Sequence, residues 1–397
     1  MGTLQKIALS ICLFFNALSS QAASPELFFE NASGSPIFKL LQTAKTSIDI
    51  EIYEIEDLRV QNAVLKAMDR GVSVRIIQES EAVGSHCPVF QKIFAGDPVD
   101  CKAQKTFVQK VRAKGGFYIP FAFQQFCDDS KYRCLEHGKM ILVDGKKALI
   151  STGNFNASNL CDPKGLPKVK SIAGVNGELT TCNRDYSIVS SDPNVVSTLT
   201  AVFESDYNGN SYDLSKILKT KAAQKITVSP LSMAPLLQFI RSAKKSVLIE
   251  NQYLKNQEMN NELLAAAKRG VKVFLVVNSA CAFGKPDPTK DAAAIEQWNS
   301  TFKAFDQAGV KTRAFTKQIK INGYNGYLHS KAIVVDGSRA WVGSVNGSTQ
   351  ALNRNREYGI FLSDAEEVSK LTKFIVDDFN DPNTESWQEG LLCLKDF

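Results

Sequence analysis

Two segments of this chain carry the same reactive side chains at the same spacing. One runs from His137 and Lys139 through Asp144 to Ser151-Thr152-Gly153-Asn154; the other runs from His329 and Lys331 through Asp336 to Gly343-Ser344-Val345-Asn346. The chain holds three histidines, and two of them occupy matching places in this repeat. In an extended segment residues two apart point to one face, so each histidine projects together with its lysine. Each asparagine ends a returning strand and can lie beside them. Lysine and asparagine donate hydrogen bonds to phosphate oxygens and stabilise charge as it builds. Imidazole titrates near neutrality, so it can attack phosphorus or protonate a departing oxygen. Two facing copies would set a nucleophile on one side of a phosphorus atom and an acid on the other, as in-line displacement requires.

The elements that must position these groups are duplicated as well. Residues 44–51 (AKTSIDIE) match 243–250 (AKKSVLIE), and Arg70-Gly71-Val72 matches Arg269-Gly270-Val271. Asn183-Arg184-Asp185-Tyr186 is answered by Asn355-Arg356-Glu357-Tyr358. The order is kept throughout, which is the mark of a tandem duplication of a whole domain. Residues 47–53 alternate and are β-branched, a strand. Residues 61–70 carry Val64, Leu65 and Met68 and close on Gly71, a helix. Residues 72–78 form a second strand, and strand–helix–strand implies parallel pairing with a right-handed crossover. Each reactive motif is a hairpin that turns at Asp144-Gly145 or Asp336-Gly337. The expected fold class is α/β, with two duplicated α-β-α sandwich lobes, mixed sheets and the active site between the lobes. The expected division is a signal peptide at 1–23, an N-terminal lobe at 24–208, a linker at 209–229 and a C-terminal lobe at 230–397. The first half is read as carrying two insertions, about 101–134 and 160–182. Both are bracketed by cysteines and placed to shape a substrate mouth.

Apolar content of 44% and charged content of 22% exclude a disordered chain, and the length allows a large core. A net charge of +6 permits contact with anionic lipid or nucleic acid without requiring it. Lys6, the apolar run over residues 7–18 and the small residues Ala22 and Ala23 have the form of an export leader. The run is too short to span a bilayer. The expectation is therefore a secreted or periplasmic protein. Beyond Cys12 there remain Cys87, Cys101, Cys127, Cys134, Cys161, Cys182, Cys281 and Cys393, an even set that suggests disulfides in an exported chain. Spacing favours 87–101, 127–134 and 161–182, leaving 281–393. The absence of CxxC spacing disfavours a metal site.

The pattern H-x-K-x4-D-x6-G-S-x-N, present twice, resembles the signature of the phospholipase D superfamily. The second copy matches at every position, and the first has Ser151 where glycine is usual. The resemblance implies two chemical steps without metal or cofactor. His137 would attack phosphorus to form a phosphohistidine, and His329 would protonate the departing alcohol. Lys139, Lys331, Asn154 and Asn346 would hold the phosphate. Asp144 and Asp336 are explained by the turns they start. The resemblance sets each remaining acid behind the histidine of the opposite half, Glu357 behind His137 and Asp185 behind His329, where a carboxylate fixes the tautomer. The competing reading is a surface salt bridge with Arg184 or Arg356. Glu51 and Glu250 either line the cleft or face solvent. His86 reads as an ordinary loop residue. The run Glu250-Asn-Gln252-Tyr253 is similar to one in larger eukaryotic phospholipases D.

For the substrate, the aromatic segment from Gly116 to Phe126 suits a lipid interface, stacked bases or a core. The basic stretch over residues 102–114 would attract lipid headgroups or a nucleic-acid backbone alike. The first expectation is a phosphoric diester hydrolase of phospholipase D type, a monomer acting on phospholipid at a membrane surface. Behind it stand an exported nuclease acting on nucleic acid and a phosphatidyltransferase of cardiolipin synthase type. A non-catalytic lipid-binding protein is disfavoured, because both halves retain every reactive position.

Overall fold

The computed structural model describes residues 24–83, 87–121, 134–161, 179–209 and 214–396. The leader, His86, Cys127 and the tips of both expected insertions lie outside the described residues. The first half contributes strands Glu26–Glu30 (β1), Ser47–Ile52 (β2), Ser73–Gln78 (β3), Phe117–Pro120 (β4), Lys139–Val143 (β5), Lys147–Ser151 (β6), Thr181–Arg184 (β7) and Tyr186–Ser190 (β8). The second contributes Ile226–Val228 (β9), Ser246–Asn251 (β10), Lys272–Asn278 (β11), Lys311–Phe315 (β12), Lys320–Ile321 (β13), Tyr324–Leu328 (β14), Lys331–Val335 (β15), Arg339–Gly343 (β16), Tyr358–Leu362 (β17) and Glu385–Ser386 (β18).

The two large sheets repeat one order. The first reads β1-β8-β6-β5-β2-β3-β4 and the second reads β9-β17-β16-β15-β10-β11-β12-β18. In both, the strands flanking the first helical crossover pair in parallel and the motif hairpin pairs antiparallel. Alternation along the hairpin strands explains the layers. Met140, Leu142, Ala148 and Ile150 face one apolar core together with Ala332, Val334, Ala340 and Val342. Helices Pro193–Tyr207 and Ala365–Asn380 complete that core. Ile141, Val143 and Leu149 face a second core under helices Ile37–Thr43, Leu58–Asp69 and Val99–Ala113. Ile333, Val335 and Trp341 face a third, under the matching helices of the other half. Both faces of each hairpin are covered, which is why β5 and β15 are apolar nearly throughout.

The first expected insertion is corrected. Helix Val99–Ala113 and β4 stand in the first half where helix Ala292–Gln307 and β12 stand in the second, so residues 99–120 belong to the repeated fold. The basic stretch is most of that helix and its C-cap. Its Lys105 is buried and paired with Asp97 at 2.7 Å, while Phe107, Val108 and Val111 fill the core. In the aromatic segment Tyr118 and Phe121 are buried and Phe117 is exposed. The second expected insertion ends in β7, which pairs in parallel with β14 in a three-stranded sheet joining the halves. Disulfides link Cys87 to Cys101, Cys161 to Cys182 and Cys281 to Cys393. Cys134 is disulfide-bonded as well. After residue 213 come helix Leu214–Leu218, a 3-10 turn and β9, the edge strand of the second sheet. Among the described residues no helix is long and apolar enough to cross a membrane.

Candidate active site

Each motif hairpin is fixed at its turn. Asp144 and Gly145 have φ of 55° and 60°, Asp336 and Gly337 56° and 65°, the left-handed pair that a two-residue hairpin turn needs. The Asp144 carboxylate also accepts the backbone N–H groups of Lys45, Thr46 and Ser47, and Asp336 accepts those of Lys244, Lys245 and Ser246. Partial burial works against ionisation of Asp144, but these donors outweigh it and hold its pKa down at about 2. Both aspartates therefore tie the hairpin to the start of the central strand, at the end away from the histidines.

The other end of each hairpin is held by the opposite half. The His137 N–H donates to the Arg356 carbonyl at 2.9 Å, and the Arg356 N–H donates to the Leu135 carbonyl at 2.8 Å. The His329 N–H donates to the Arg184 carbonyl at 3.1 Å, continuing the β14–β7 pairing. This backbone pairing brings the next residue, Glu357 or Asp185, onto the ring. His137 Nδ1 lies 2.9 Å from both Glu357 oxygens, and His329 Nδ1 lies 3.0 Å from Asp185 Oδ1. Asn355 donates to Glu357 at 3.1 Å; Thr152 donates to Asp185 at 2.6 Å, and Asn159 donates to the other Asp185 oxygen. Neither arginine forms the surface salt bridge of the competing reading with these acids. Arg356 is buried against Asp206 at 2.9 Å, and Arg184 pairs with Asp378 at 2.6 Å and Glu30 at 2.9 Å. Each arginine thus clasps the helix that closes the other half.

Lys139 and Lys331 lie fully buried, and each ammonium donates to the carbonyl of its own histidine, Lys139 at 2.5 Å. Lys331 also reaches the Thr152 carbonyl of the first half at 3.4 Å. Burial pushes Lys139 down to about 8 and Lys331 down to about 7. Burial likewise lowers both histidines, His329 to about 4, with the lysines of both halves adding to it and the backing carboxylates opposing it. Both rings are then neutral at pH 7, and a bound phosphodiester would raise them. The amide oxygens of Asn154 and Asn346 are buried without a hydrogen-bond partner, and as acceptors they are open to a donor such as a hydroxyl. The two lysines suit an anion. Among the described residues no cluster of three or more His, Cys, Asp or Glu is placed to hold a metal ion.

Ser151 fits where its counterpart must be glycine. A Cβ on Gly343 would stand 2.6 Å from the Gly359 Cα and 2.7 Å from the Trp341 ring. In the first half Ser187 and Leu149 take those places, and the Ser151 hydroxyl bonds to Ser187 at 3.1 Å. Glu51 and Glu250 face no solvent: both are fully buried. Glu51 sits with Glu136 and Asp206 beside Arg356, while Glu250 accepts from Tyr186 and Ser330, each at 2.7 Å. Burial raises both above the usual carboxylate range, Glu250 to about 8.

Sequence reasoning missed four groups at the site. Tyr53 packs edge-on to His137 at 4.9 Å between ring centres, and Tyr327 stacks at 6.3 Å on His329. Glu54 accepts from Asn154 and Asn156, each at 2.8 Å, and Asn159 braces Asp185. Aligning the halves at Glu51 and Glu250 would have drawn notice to Glu54, because it falls opposite Tyr253.

The chain belongs to the phospholipase D superfamily: the family described as "Cardiolipin synthase, PLD-like domain" matches residues 37–207 and 236–378. It is 24% identical over 362 residues to the probable cardiolipin synthase YwiE of Bacillus subtilis, covering 87% of this chain and 63% of that protein. It is 25% identical over 378 residues to a cardiolipin synthase of Clostridium perfringens, covering 89% and 70%. The chain spans less than two thirds of the Bacillus subtilis relative. Among solved structures, the phosphatidylserine synthase of Haemophilus influenzae superposes with a TM-score of 0.60 at 12% identity over 92% of this chain and 89% of that one, a likeness of fold.

Proposed function

We propose that the protein is a phosphatidyltransferase that moves a phosphatidyl group between alcohols through a phosphohistidine. Both Nδ1 atoms are taken by carboxylates, which leaves the Nε2 atoms for the phosphorus and the leaving oxygen. His137 Nε2 attacks phosphorus, the P–O bond to the headgroup alcohol breaks, and His329 gives that oxygen its proton. An acceptor alcohol then attacks phosphorus and loses its proton to His329 as the P–N bond breaks. Lys139, Lys331, Asn154 and Asn346 hold the phosphate oxygens and offset charge in the transition state. The observation that carries transfer over hydrolysis is the match across 87% of the chain to a protein named as a cardiolipin synthase. Hydrolysis, favoured from the sequence alone, uses the same machinery with water as acceptor, and it is the second reading. The leader-like residues 1–23 support export and action at the outer face of a membrane.

The test is product analysis by mass spectrometry with phosphatidylglycerol vesicles. Transfer yields cardiolipin and free glycerol. Phosphatidic acid as the sole lipid product, with acceptor lipid in excess, would make the enzyme a hydrolase. An intact lipid beside a shortened oligonucleotide would make it a nuclease.

A further inference from the structure

Beside the His329 face lies a cavity of about 370 Å³, enclosed by residues 252–255, the loop at 277–286 and helix Ala292–Gln307. That volume falls within the range of about 300–1,000 Å³ typical of small-molecule sites. We propose that it holds one acyl chain of the phospholipid that donates the phosphatidyl group; this rests on the phospholipid reading above.

Three observations carry it. First, the cavity neighbours the reactive centre. Gln252 and Tyr253 are part of its lining. Gln252 donates to the Tyr327 hydroxyl at 2.6 Å, and Tyr327 stacks on His329. Burial together with the Glu357 carboxylate pushes the Tyr253 hydroxyl up to about 12. Second, a large part of the lining is apolar. Leu254, Val277, Ile295, Trp298, Phe302 and Leu391 supply apolar surface, and several polar groups among them already serve the protein. The Asn278 amide is engaged at both ends by the Leu328 backbone, at 2.6 and 2.9 Å. Ser279 donates to the Gly390 carbonyl at 2.9 Å, and Trp298 donates to the Trp387 carbonyl at 3.1 Å. Along that apolar part a sugar or a base would lose its water contacts, whereas a hydrocarbon loses none; Lys255, Lys285, Asp291, Gln297 and Thr301 make the rest of the lining polar. Third, the lining carries features that suit a lipid surface. Phe283 stands 80% exposed and packs edge-on to Tyr327 at 5.5 Å, and Lys255 and Lys285 also line the cavity. An exposed aromatic flanked by cations suits an anionic bilayer interface.

In the corresponding layer of the first half Phe90 and Phe107 pack edge-on to Tyr118 at 5.7 and 5.6 Å, and the Cys87–Cys101 disulfide ties the loop to helix Val99–Ala113. Glu54 and Glu56 stand there in place of Tyr253 and Lys255. The duplicated lobes therefore differ in what they offer an anionic lipid.

The experiment uses the full chain and two variants that narrow the cavity from its helical wall, Ala294→Trp and Thr301→Trp, each checked by its thermal midpoint. A fluorescent long-chain fatty acid is titrated into each protein, and turnover is compared on dioleoyl and dihexanoyl phosphatidylglycerol. The expected result is fatty-acid binding weakened by about tenfold or more in the folded variants. Turnover should fall on the dioleoyl lipid and stay within about twofold on the dihexanoyl one. No binding by the unsubstituted protein, equal binding by all three, or equal loss on both lipids overturns the assignment. Absence of turnover on either lipid in the unsubstituted protein defeats the transferase reading, while the fatty-acid titration still decides the cavity.

Discussion

Glu357 and Asp185 make the same kind of contact with their histidines, yet the proposed roles predict different consequences of neutralising them. Glu357→Gln keeps the size of the side chain and removes the charge that accepts from His137 Nδ1 at 2.9 Å. A hydrogen bond to a charged group contributes about 1.5–3 kcal/mol, so the step that puts positive charge on His137 should slow by about 10- to 150-fold. Glu357 touches no phosphate-holding group among its hydrogen bonds, so KM should hardly change. Asp185→Asn removes the equivalent charge behind His329 and should slow whichever step needs that ring as acid. A substrate whose leaving group is p-nitrophenol separates the two, because p-nitrophenolate departs without a proton. With phosphatidyl-p-nitrophenol, Glu357→Gln should still slow the burst of nitrophenol and the build-up of phosphohistidine. Asp185→Asn should leave the burst intact and let the adduct accumulate. The acid limb of kcat/KM should also move to lower pH in Glu357→Gln, because Glu357 is one of the groups that raise the His137 pKa. A burst lost in Asp185→Asn and kept in Glu357→Gln would reverse the two roles. Bursts unchanged in both would remove the carboxylates from the mechanism.

Three further outcomes follow from the geometry. Arg356→Met strands Asp206 in the core, and removing one partner of a buried ion pair costs about 3–5 kcal/mol, so the urea midpoint should drop steeply; a loss near zero contradicts the clasp. Gly153→Ala would put a Cβ 2.7 Å from the Asp185 carboxyl carbon and 2.8 Å from the Asn159 amide nitrogen, so Asp185 must move off His329. Activity should fall by about 100-fold with circular dichroism unchanged, since misplacement of about 1 Å has that effect; full activity would show that Asp185 need not sit where it does. His329 holds a pKa of about 4 in the fold against 6.5 ordinarily. Between those values the unfolded chain binds a proton that the folded chain does not, so stability rises with pH across that window and is lost on acidification. His329→Gln should flatten the urea midpoints measured at pH 4.5 and 7, and an unchanged pH slope would contradict the buried neutral ring.

The reactive groups were legible because their chemistry ties them to fixed spacing on a hairpin, where a residue out of step would turn to the wrong face. The strand, helix and strand that follow residue 46 were legible for the same reason, since their apolar periods differ. Helix Val99–Ala113 was misread as part of an insertion because it shares a place, and no visible sequence pattern, with helix Ala292–Gln307. Glu51 and Glu250 could not be read at all. Alternation along a strand assigns a side chain to a face, but it does not say whether water or a buried arginine waits there. The pairing of each acid with the opposite histidine came from family resemblance. Its physical cause is a parallel bridge between chain segments far apart in sequence, which no local pattern encodes.

That bridge also explains where the halves are free to differ. The backbone of His137 is held by Arg356 and that of His329 by Arg184, so each half completes the other's reactive ring. The two arginines are anchored alike, one on Asp206 and the other on Asp378, at matching places in the two closing helices. A change in either segment would disturb both supports of one ring at once, because the carboxylate and the backbone that position a ring belong to the same short segment. Positions just outside it carry no such double duty. There the halves do diverge: Glu54 and Glu56 face Tyr253 and Lys255, and a packed layer of Phe90, Phe107 and Tyr118 faces an open cavity. Under the proposed mechanism the symmetry of the pair serves a reaction that needs equivalent groups on both sides of one phosphorus, and its asymmetry lies where the two substituents of that phosphorus would be told apart.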